Sequence, residues 1–227
     1  MTKVVVIGGG FGGLSAAIEL ANKGFEVDLL DPESELGGKV ARIEDSEGIS
    51  YDCGPTVVTL KDVFSNLFSK SGENIDEYVK FSKLDIIARH AWSSDETLDL
   101  FADPQRSYEA VAKFAGITEA KNFHEFSTLA HELFMVLEKT YMKCQKPGML
   151  KMINAIGLRG SKCLLQAGAF NSLWEKLERT FQDERLRQLF GRYATYCGSS
   201  PWEAPSTLML IWDVERQGVW SVEGGVI

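Results

Sequence analysis

Residues 3–31 read KVVVIGGGFGGLSAAIELANKGFEVDLLD, and this stretch decides the fold of the N-terminal part of the chain. The β-branched run of residues 4–7 predicts a short parallel strand that is buried on both faces. Small and apolar residues then recur at helical spacing as far as Gly24, which is placed to end a helix. Residues 26–30 predict a second strand, which Asp31 closes. The order strand, glycines, helix, strand predicts a βαβ unit.

The glycines of this unit follow the pattern G-x-G-x-x-G at Gly8, Gly10 and Gly13. In dinucleotide sites the first glycine allows a tight turn, the second admits a pyrophosphate and the third lets the helix pack on the strand. The helix N-terminus offers free amides and the positive end of the helix dipole to a phosphate. The alternative is a βαβ unit with an empty site, because glycine-rich turns are common and need bind nothing.

The acid at the end of the second strand indicates which dinucleotide the unit would take. Asp31 lies eighteen residues after Gly13, where such units place a carboxylate on the ribose hydroxyls. A carboxylate at that point disfavours a 2′-phosphate. The pattern therefore favours FAD or NAD over NADP.

Composition places the chain among ordinary globular proteins, because 44% of its 227 residues are hydrophobic and 25% are charged. A net charge of -8 and a pI of about 5.0 argue against a nucleic-acid partner, which needs a basic surface. No segment has the length and apolarity of a membrane span, and no basic or apolar leader precedes the first strand. We therefore expect a cytoplasmic protein.

Metal and disulfide chemistry are not indicated. The four cysteines contain no C-x-x-C pair, so we expect all of them to be reduced and packed. The three histidines are scattered and nominate no metal ligands. The cysteines are Cys53, Cys144, Cys163 and Cys197, and the histidines are His90, His124 and His131.

A second glycine motif, Gly37-Gly38-Lys39, follows the acid that ends the second strand. A segment leaving the carboxyl edge of a parallel sheet passes the ligand crevice, where backbone amides and a lysine suit phosphate. The alternative is a surface turn. Two short strand-like pieces follow, at residues 40–43 and 49–51, and then the loop Asp52-Cys53-Gly54-Pro55-Thr56, which glycine and proline make irregular.

Together, GGGFGGLSAA, GGKV and DCGPTVVTL resemble the flavin-dependent amine-oxidase and phytoene-desaturase superfamily. Other stretches, among them TLKDVFSNLF and LFGRYATYCGSSPWEAPSTLMLIW, are similar to the 1-hydroxycarotenoid 3,4-desaturases of photosynthetic bacteria, also called hydroxyneurosporene or methoxyneurosporene desaturases. The resemblance runs from Lys3 to the last residue and covers the N-terminal portion of that family.

The resemblance implies an FAD-dependent enzyme that introduces a C3–C4 double bond into a 1-hydroxycarotenoid by hydride transfer to flavin N5. It implies an α/β fold in which an FAD/NAD(P)-binding Rossmann-like domain carries an inserted helix-rich substrate domain. No catalytic acid or base is identified. The cofactor-binding residues are expected to be Gly8, Gly10, Gly13, Asp31, Gly38 and Lys39, with Gly54, Pro55 and Thr56 near the flavin.

We assign residues 1–103 to the FAD-binding domain, including a predicted hairpin of residues 86–92 and 97–101, and residues 104–227 to an incomplete substrate domain. The chain stops at Gly224-Gly225-Val226-Ile227, where family members continue. The isolated chain is therefore expected to bind FAD weakly and to lack desaturase activity. Helices are predicted at residues 61–71, 108–114, 119–141, 171–181, 184–196 and 205–215.

Residues 139–174 form a basic and apolar stretch without a single Asp or Glu. Apolar residues alternate with the cations, a mixture typical of helices that lie in a membrane interface. The alternative is a solvated basic face on an ordinary core helix. Because a carotenoid dissolves only in a bilayer, the resemblance favours peripheral association with the inner membrane. The cations are Lys139, Lys143, Lys146, Lys151, Arg159 and Lys162.

Three other functions share parts of this pattern. A phytoene desaturase or carotenoid isomerase would keep every FAD motif, a flavin amine oxidase would act on a soluble polar substrate, and a flavin-free escort protein would keep the fold without the cofactor. Trp202, Trp212 and Trp220 either line an apolar tunnel or pack in the core, the commoner role of large aromatics. Arg192 is either a polar group near the substrate or a helix-surface residue, and the second role is the commoner one for an arginine. The sequence does not indicate an oligomeric state.

Overall fold

The computed structural model describes residues 1–143 and 149–226, without the side chains of residues 149–154. Its strands are β1 (Lys3–Ile7), β2 (Glu26–Leu30), β3 (Ala41–Glu44), β4 (Ser50–Cys53), β5 (Val58–Thr59), β6 (Phe81–Lys83), β7 (Ile86–Ala91), β8 (Thr97–Phe101) and β9 (Val219–Val222). Its α-helices are α1 (Phe11–Asn22), α2 (Lys61–Lys70), α3 (Pro104–Ala115), α4 (Ile117–Leu137), α5 (Met149–Ala167), α6 (Leu173–Thr180), α7 (Glu184–Gly191) and α8 (Ile211–Gln217).

The chain divides into two compact units. Unit 1 contains Met1–Leu84 and the chain from Val219 onward, and unit 2 contains Asp85–Gly218. This division differs from the boundary predicted between residues 103 and 104. The reason is that Leu98 and Leu100 of the β7–β8 hairpin are buried in the same core as the helices.

The predicted βαβ unit is present in unit 1. Strands β1 and β2 pair in parallel, from Lys3 opposite Glu26 to Ile7 opposite Leu30, and α1 connects them. Helix α1 ends at Asn22, and Gly24 follows in the left-handed region with φ of 83°. The structure confirms the first strand, the helix, its glycine stop and the second strand.

Strand β1 is not buried on both faces, so that part of the prediction is wrong. The side chain of Val5 is 51% exposed and that of Ile7 is 84% exposed. Among the described residues, β2 is the only strand that pairs with β1, and the side chains of β1 alternate between exposed and half-buried. The apolar run is therefore half covered within this chain.

Two further sheets complete unit 1. Strands β3 and β4 form an antiparallel hairpin, from Ala41 opposite Cys53 to Glu44 opposite Ser50. Strands β5, β9 and β6 form a three-stranded antiparallel sheet in that order. The chain thus leaves unit 1 after β6 and returns to it as the central strand of this sheet, which confirms that the helix-rich part is an insertion.

Unit 2 is built on an aromatic core. Phe190 of α7 lies at its centre, with ring centroids 4.8 Å from Phe126, 5.2 Å from Phe181 and 6.1 Å from Trp212.

The N-termini of three helices of unit 2 are capped by side chains. Asp103, Ser172 and Asp183 accept hydrogen bonds from the first turns of α3, α6 and α7.

The structure also places individual tryptophan and cysteine residues for which the sequence made predictions. Trp212 is fully buried and belongs to the core, whereas Trp202 is 62% exposed. Cys163 is buried, but Cys197 is exposed, so the expectation that every cysteine packs inside is wrong. Cys144 lies outside the described residues.

The part of the chain that the structure describes contains no helix of the length and apolarity needed to cross a membrane. Helix α5 is interrupted at Gly157, whose φ of 64° and ψ of -177° are not helical.

Candidate functional site

The turn between β1 and α1 depends on two of its glycines for its shape. Gly8 has φ of 104°, and its N–H donates to the carbonyl of Leu30 at 2.8 Å. A Cβ on Gly13 would lie inside the van der Waals radius of the Gly8 carbonyl oxygen. Helix α1 and the turn therefore touch backbone to backbone, as the sequence predicted for the first and third glycines.

Two other glycines of the turn are not required by contacts within the chain. The nearest atom to a Cβ on Gly10 would be the Cα of Gly38 at 3.8 Å, an ordinary van der Waals distance. A Cβ on Gly12 would meet nothing within 4 Å. The space next to Gly12 is therefore open, which is the condition for a pyrophosphate to approach the backbone, whereas Gly10 faces the backbone of the second glycine motif.

The N-terminus of α1 is suited to an anion. Its N-cap residue is Gly10, no side chain of the described residues caps it, and its first turn has no acidic residue. The amides of the first turn and the positive end of the helix dipole therefore remain available to a phosphate.

Asp31 lies against this turn. Its Oδ2 accepts the N–H of Gly9 at 2.5 Å, and its Oδ1 accepts the N–H of Glu33 at 2.9 Å. The amide of Gly9, and then that of Glu33, lower the pKa of the Asp31 carboxyl below its usual value. The side chain is thus an ionised acceptor at neutral pH, held at the end of β2 with lone pairs left for further hydrogen bonds.

The second glycine motif folds onto the first. The N–H of Gly37 donates to the carbonyl of Gly9 at 2.9 Å, and a Cβ on Gly38 would lie 3.1 Å from the Cα of Gly10. Gly38 has φ of 64°, which favours glycine. The two motifs, far apart in sequence, therefore form one glycine-lined surface.

The third motif is the loop of residues 52–56, which follows the β3–β4 hairpin and joins this surface. Gly54 has φ of 124°, and a Cβ there would overlap the carbonyl oxygen of Lys39. Pro55 and Thr56 continue from Gly54 as exposed residues. The structure thus brings seven of the nine predicted cofactor residues together, six through their backbone and Asp31 through its carboxylate, and places the last two beside them in the chain. The seven are Gly8, Gly10, Gly13, Asp31, Gly38, Lys39 and Gly54.

Unit 1 also contains an apolar cavity of about 680 Å³, which the sequence did not reveal. One wall is the face of α1 that carries Phe11, Leu14 and Ile18, whose spacing is helical. Other walls come from α2, from residues 75–81 and from the chain around Val222. The helical spacing of apolar residues on α1 predicts that this face is covered. It does not show that the segments facing it leave a cavity.

Unit 2 holds a buried ionic cluster that sequence reasoning missed. Glu215, 4% exposed, accepts both terminal nitrogens of Arg192, at 3.0 and 2.5 Å, and the hydroxyls of Tyr193 and Tyr196. Burial, and then the charge of Glu215, raise the pKa of Tyr196 to about 12. The reading of Arg192 as a helix-surface residue is therefore wrong.

A second ionic group in unit 2 joins α4 and α8. Asp213 is fully buried, and its carboxylate accepts Arg216 at 2.5 Å and Gln217 at 3.0 Å. His131 Nδ1 lies 3.2 Å from both oxygens of Asp213. Among the described residues, no group of three or more His, Cys, Asp or Glu side chains is arranged to hold a metal ion.

The class of protein follows from the βαβ unit and its glycine surface. Residues 6–70 match the family described as an NAD(P)-binding Rossmann-like domain. The fold of unit 1 is accordingly Rossmann-like.

The comparison with curated proteins narrows this class. The chain is 45% identical to the hydroxyneurosporene desaturase of Rubrivivax gelatinosus, over 99% of the chain and 43% of that protein. It is 41% identical to the enzyme of the same name from Cereibacter sphaeroides, over 99% of the chain and 45% of the relative. The chain is therefore a homologue of the hydroxyneurosporene desaturases, and it spans less than half the length of these relatives. A 4,4'-diaponeurosporene oxygenase of Staphylococcus haemolyticus is 33% identical over 99% of the chain and 44% of that protein.

Solved structures show the same fold at low sequence identity. A triple mutant of putrescine oxidase aligns with a TM-score of 0.60 and 13% identity, over 99% of this chain and 46% of the other. A Pyrococcus furiosus protein aligns with a TM-score of 0.52 and 15% identity, over 99% of this chain and 46% of the other. At such identities the likeness describes the fold alone.

The contrast between two adjacent glycines gives a stability test. Gly13→Ala should destabilise the chain by about 1–3 kcal/mol, because its methyl group overlaps the Gly8 carbonyl. Gly12→Ala is the matched control. It meets no atom within 4 Å and should leave stability unchanged or slightly raised, since alanine favours helices. Urea unfolding measures both, and equal stability of the two variants would contradict the close contact.

Proposed function

We propose that this chain provides the FAD site and part of the substrate-binding region of a carotenoid desaturase. The observation that carries the proposal is the packing of three separate glycine motifs into one backbone surface, whose first motif lies against Asp31 and leads into the N-terminus of α1. Identity of 45% to a hydroxyneurosporene desaturase over 99% of the chain supports the same assignment.

The cofactor we propose is FAD. The open backbone at Gly12 and the uncapped start of α1 at Gly10 would hold the pyrophosphate, and the ionised Asp31 would accept the ribose hydroxyls. The backbone around Lys39 and Gly54 would extend the surface toward the flavin end. When bound, FAD supplies the hydride acceptor that desaturation of a carbon chain requires.

The substrate class we propose is a hydroxylated carotenoid, in which the enzyme forms the C3–C4 double bond. Its support is the name shared by relatives at 45% and 41% identity. The role left to the protein is to bind and orient an apolar polyene and to exclude water from the reacting carbons. A second candidate reaction is oxygenation of a carotenoid, because a relative at 33% identity is named a 4,4'-diaponeurosporene oxygenase.

Pigment analysis tests the substrate proposal. A gene that encodes this chain together with the segment that completes the length of its relatives, expressed in cells that make hydroxylated carotenoids, should convert them to products with one more conjugated double bond and two fewer hydrogens. Absorption and mass spectra of the extracted pigments measure both changes. A product that has gained oxygen would establish the oxygenase instead, and unchanged pigments would contradict both candidates.

A nucleotide-release experiment tests the cofactor. The nucleotide released from the denatured protein should be FAD, and Asp31→Ala should weaken FAD binding about ten- to hundredfold for each charge-assisted hydrogen bond lost. Glu33→Ala is the matched control, because only the backbone amide of Glu33 contacts Asp31. Released NAD, or equal FAD affinity of the two variants by flavin fluorescence, would refute the assignment.

We also propose that the protein is cytoplasmic and docks on the inner membrane through residues 139–174. Leu158 is 94% exposed, Phe170 is 94% exposed and Leu165 is 68% exposed, so apolar side chains face outward in this stretch. Arg159 and Lys162 are exposed beside them. This combination suits an anionic bilayer surface, which attracts the cations and accepts the apolar groups. Lys146 lies outside the described residues.

Vesicle co-sedimentation tests this docking. The double variant Arg159→Glu, Lys162→Glu should bind anionic vesicles less well than the control Lys113→Glu, Lys121→Glu, which makes the same charge change at exposed positions outside the stretch. Each cation near the surface contributes about 1 kcal/mol, so the loss should exceed tenfold. Binding of the unchanged protein should also fall as salt rises. Equal binding of the two double variants would contradict the docking surface.

A further inference from the structure

A small polar cavity lies between α4 and α6 in unit 2, and none of its lining residues belongs to the ionic clusters described above. Its volume is about 220 Å³, enough for several water molecules or one small ion. Helix α6 contributes two cationic side chains, and α4 contributes polar, acidic and apolar ones. Its lining residues are Asn122, Glu125, Phe126 and Leu129 from α4, and Lys176, Arg179 and Thr180 from α6.

The two cations of this cavity have no carboxylate partner in the part of the chain that the structure describes. Lys176 and Arg179 are three residues apart on α6 and so share one face of the helix. Among the described residues, neither has an ion pair, whereas Arg185 and Arg192 of the same unit do. The Lys176 ammonium donates to the carbonyl of Gln166 at 3.0 Å, which leaves two of its three N–H groups.

The electrostatic environment of Lys176 is unfavourable in the absence of an anion. Its side chain is half-buried, and burial, followed by the charge of Arg179, lowers the pKa of its ammonium. Two like charges at the wall of one cavity repel each other, and an anion between them would remove the repulsion.

The other polar groups set limits on the ligand. The Thr180 hydroxyl donates to the carbonyl of Lys176, so its oxygen is left as an acceptor. The Asn122 amide adds two N–H donors and one acceptor. Glu125 is exposed at the rim without a hydrogen bond or ion pair to a described residue, and its charge opposes an anion. The hydrogen-bond donors of the cavity therefore suit a ligand rich in acceptor oxygens. Its one carboxylate, that of Glu125, is exposed.

We propose that this cavity binds a phosphate group, with Lys176 and Arg179 as its cationic ligands and Asn122 as a neutral donor. A guanidinium matches two phosphate oxygens at once, and the ammonium provides a point charge for a third. The group is either free inorganic phosphate or the headgroup of an anionic lipid. The site is independent of the FAD surface, which lies in unit 1, so the two assignments stand or fall separately.

Titration of the full chain with inorganic phosphate is the first test. Calorimetry should show saturable binding, and Lys176→Gln, Arg179→Gln should weaken it at least about tenfold for each cation removed. Glu125→Gln should tighten it, because the opposing charge is lost. Lys121→Gln, an exposed lysine of α4 outside the cavity, is the matched control and should bind as the unchanged protein does.

Vesicles distinguish the two sources of the phosphate. Phosphatidylcholine vesicles that contain phosphatidic acid should bind in a manner that depends on Lys176 and Arg179 if a lipid supplies the group. If binding depends on these residues for inorganic phosphate alone, the source is free phosphate. Either result supports the site.

The proposal is overturned if neither probe binds in a way that depends on Lys176 and Arg179, or if the double variant binds phosphate like the control. Circular dichroism and urea unfolding report whether the double variant is folded. Should the buried stem of Lys176 prove necessary for folding, Arg179→Gln alone decides, because Arg179 is exposed and its replacement leaves the core intact.

Discussion

The close contact between the backbone of α1 and the turn after β1 is the constraint on which unit 1 depends. Because no side chain separates Gly13 from Gly8, the first turn of α1 begins directly at the carboxyl end of β1. The same absence of side chains lets Gly38 approach Gly10 and Gly54 approach Lys39. A set of contacts made by backbone alone therefore builds one surface from three distant segments, and an ordinary side chain at these points would separate them.

Unit 2 is stabilised by aromatic packing and buried ion pairs and not by contacts between glycine backbones. Its core is a set of aromatic rings around Phe190, and the charges of Glu215 and Asp213 are buried beside it. Such charges are tolerated only because each carboxylate accepts several hydrogen bonds from arginine, tyrosine or amide groups. Removing Arg192 would leave the Glu215 carboxylate buried without its cation, so the two residues act as one structural unit.

How much the sequence predicts depends on the range of the interaction. The βαβ unit, the β7–β8 hairpin and most helices were predictable, because turn residues, caps and apolar spacing act within a few positions. The pairing of Arg192 with Glu215 and the cavity beside Phe11 were not, because both join distant segments and leave no local pattern. The exposure of β1 was missed for a related reason: an apolar run shows that a strand can be buried but not what covers it.

The position of β9 constrains the order in which the chain can fold. Strand β9 is the central strand between β5 and β6, which do not pair with each other, and the N–H of Leu84 donates to the carbonyl of Val219 at 2.9 Å. During synthesis the whole of unit 2 leaves the ribosome before β9 does. Unit 2 has its own core and can fold as it emerges, whereas β5 and β6 must wait with unpaired edges for a strand made much later. The three-stranded sheet of unit 1, although two of its strands precede unit 2 in the chain, is thus completed only after unit 2 has been made.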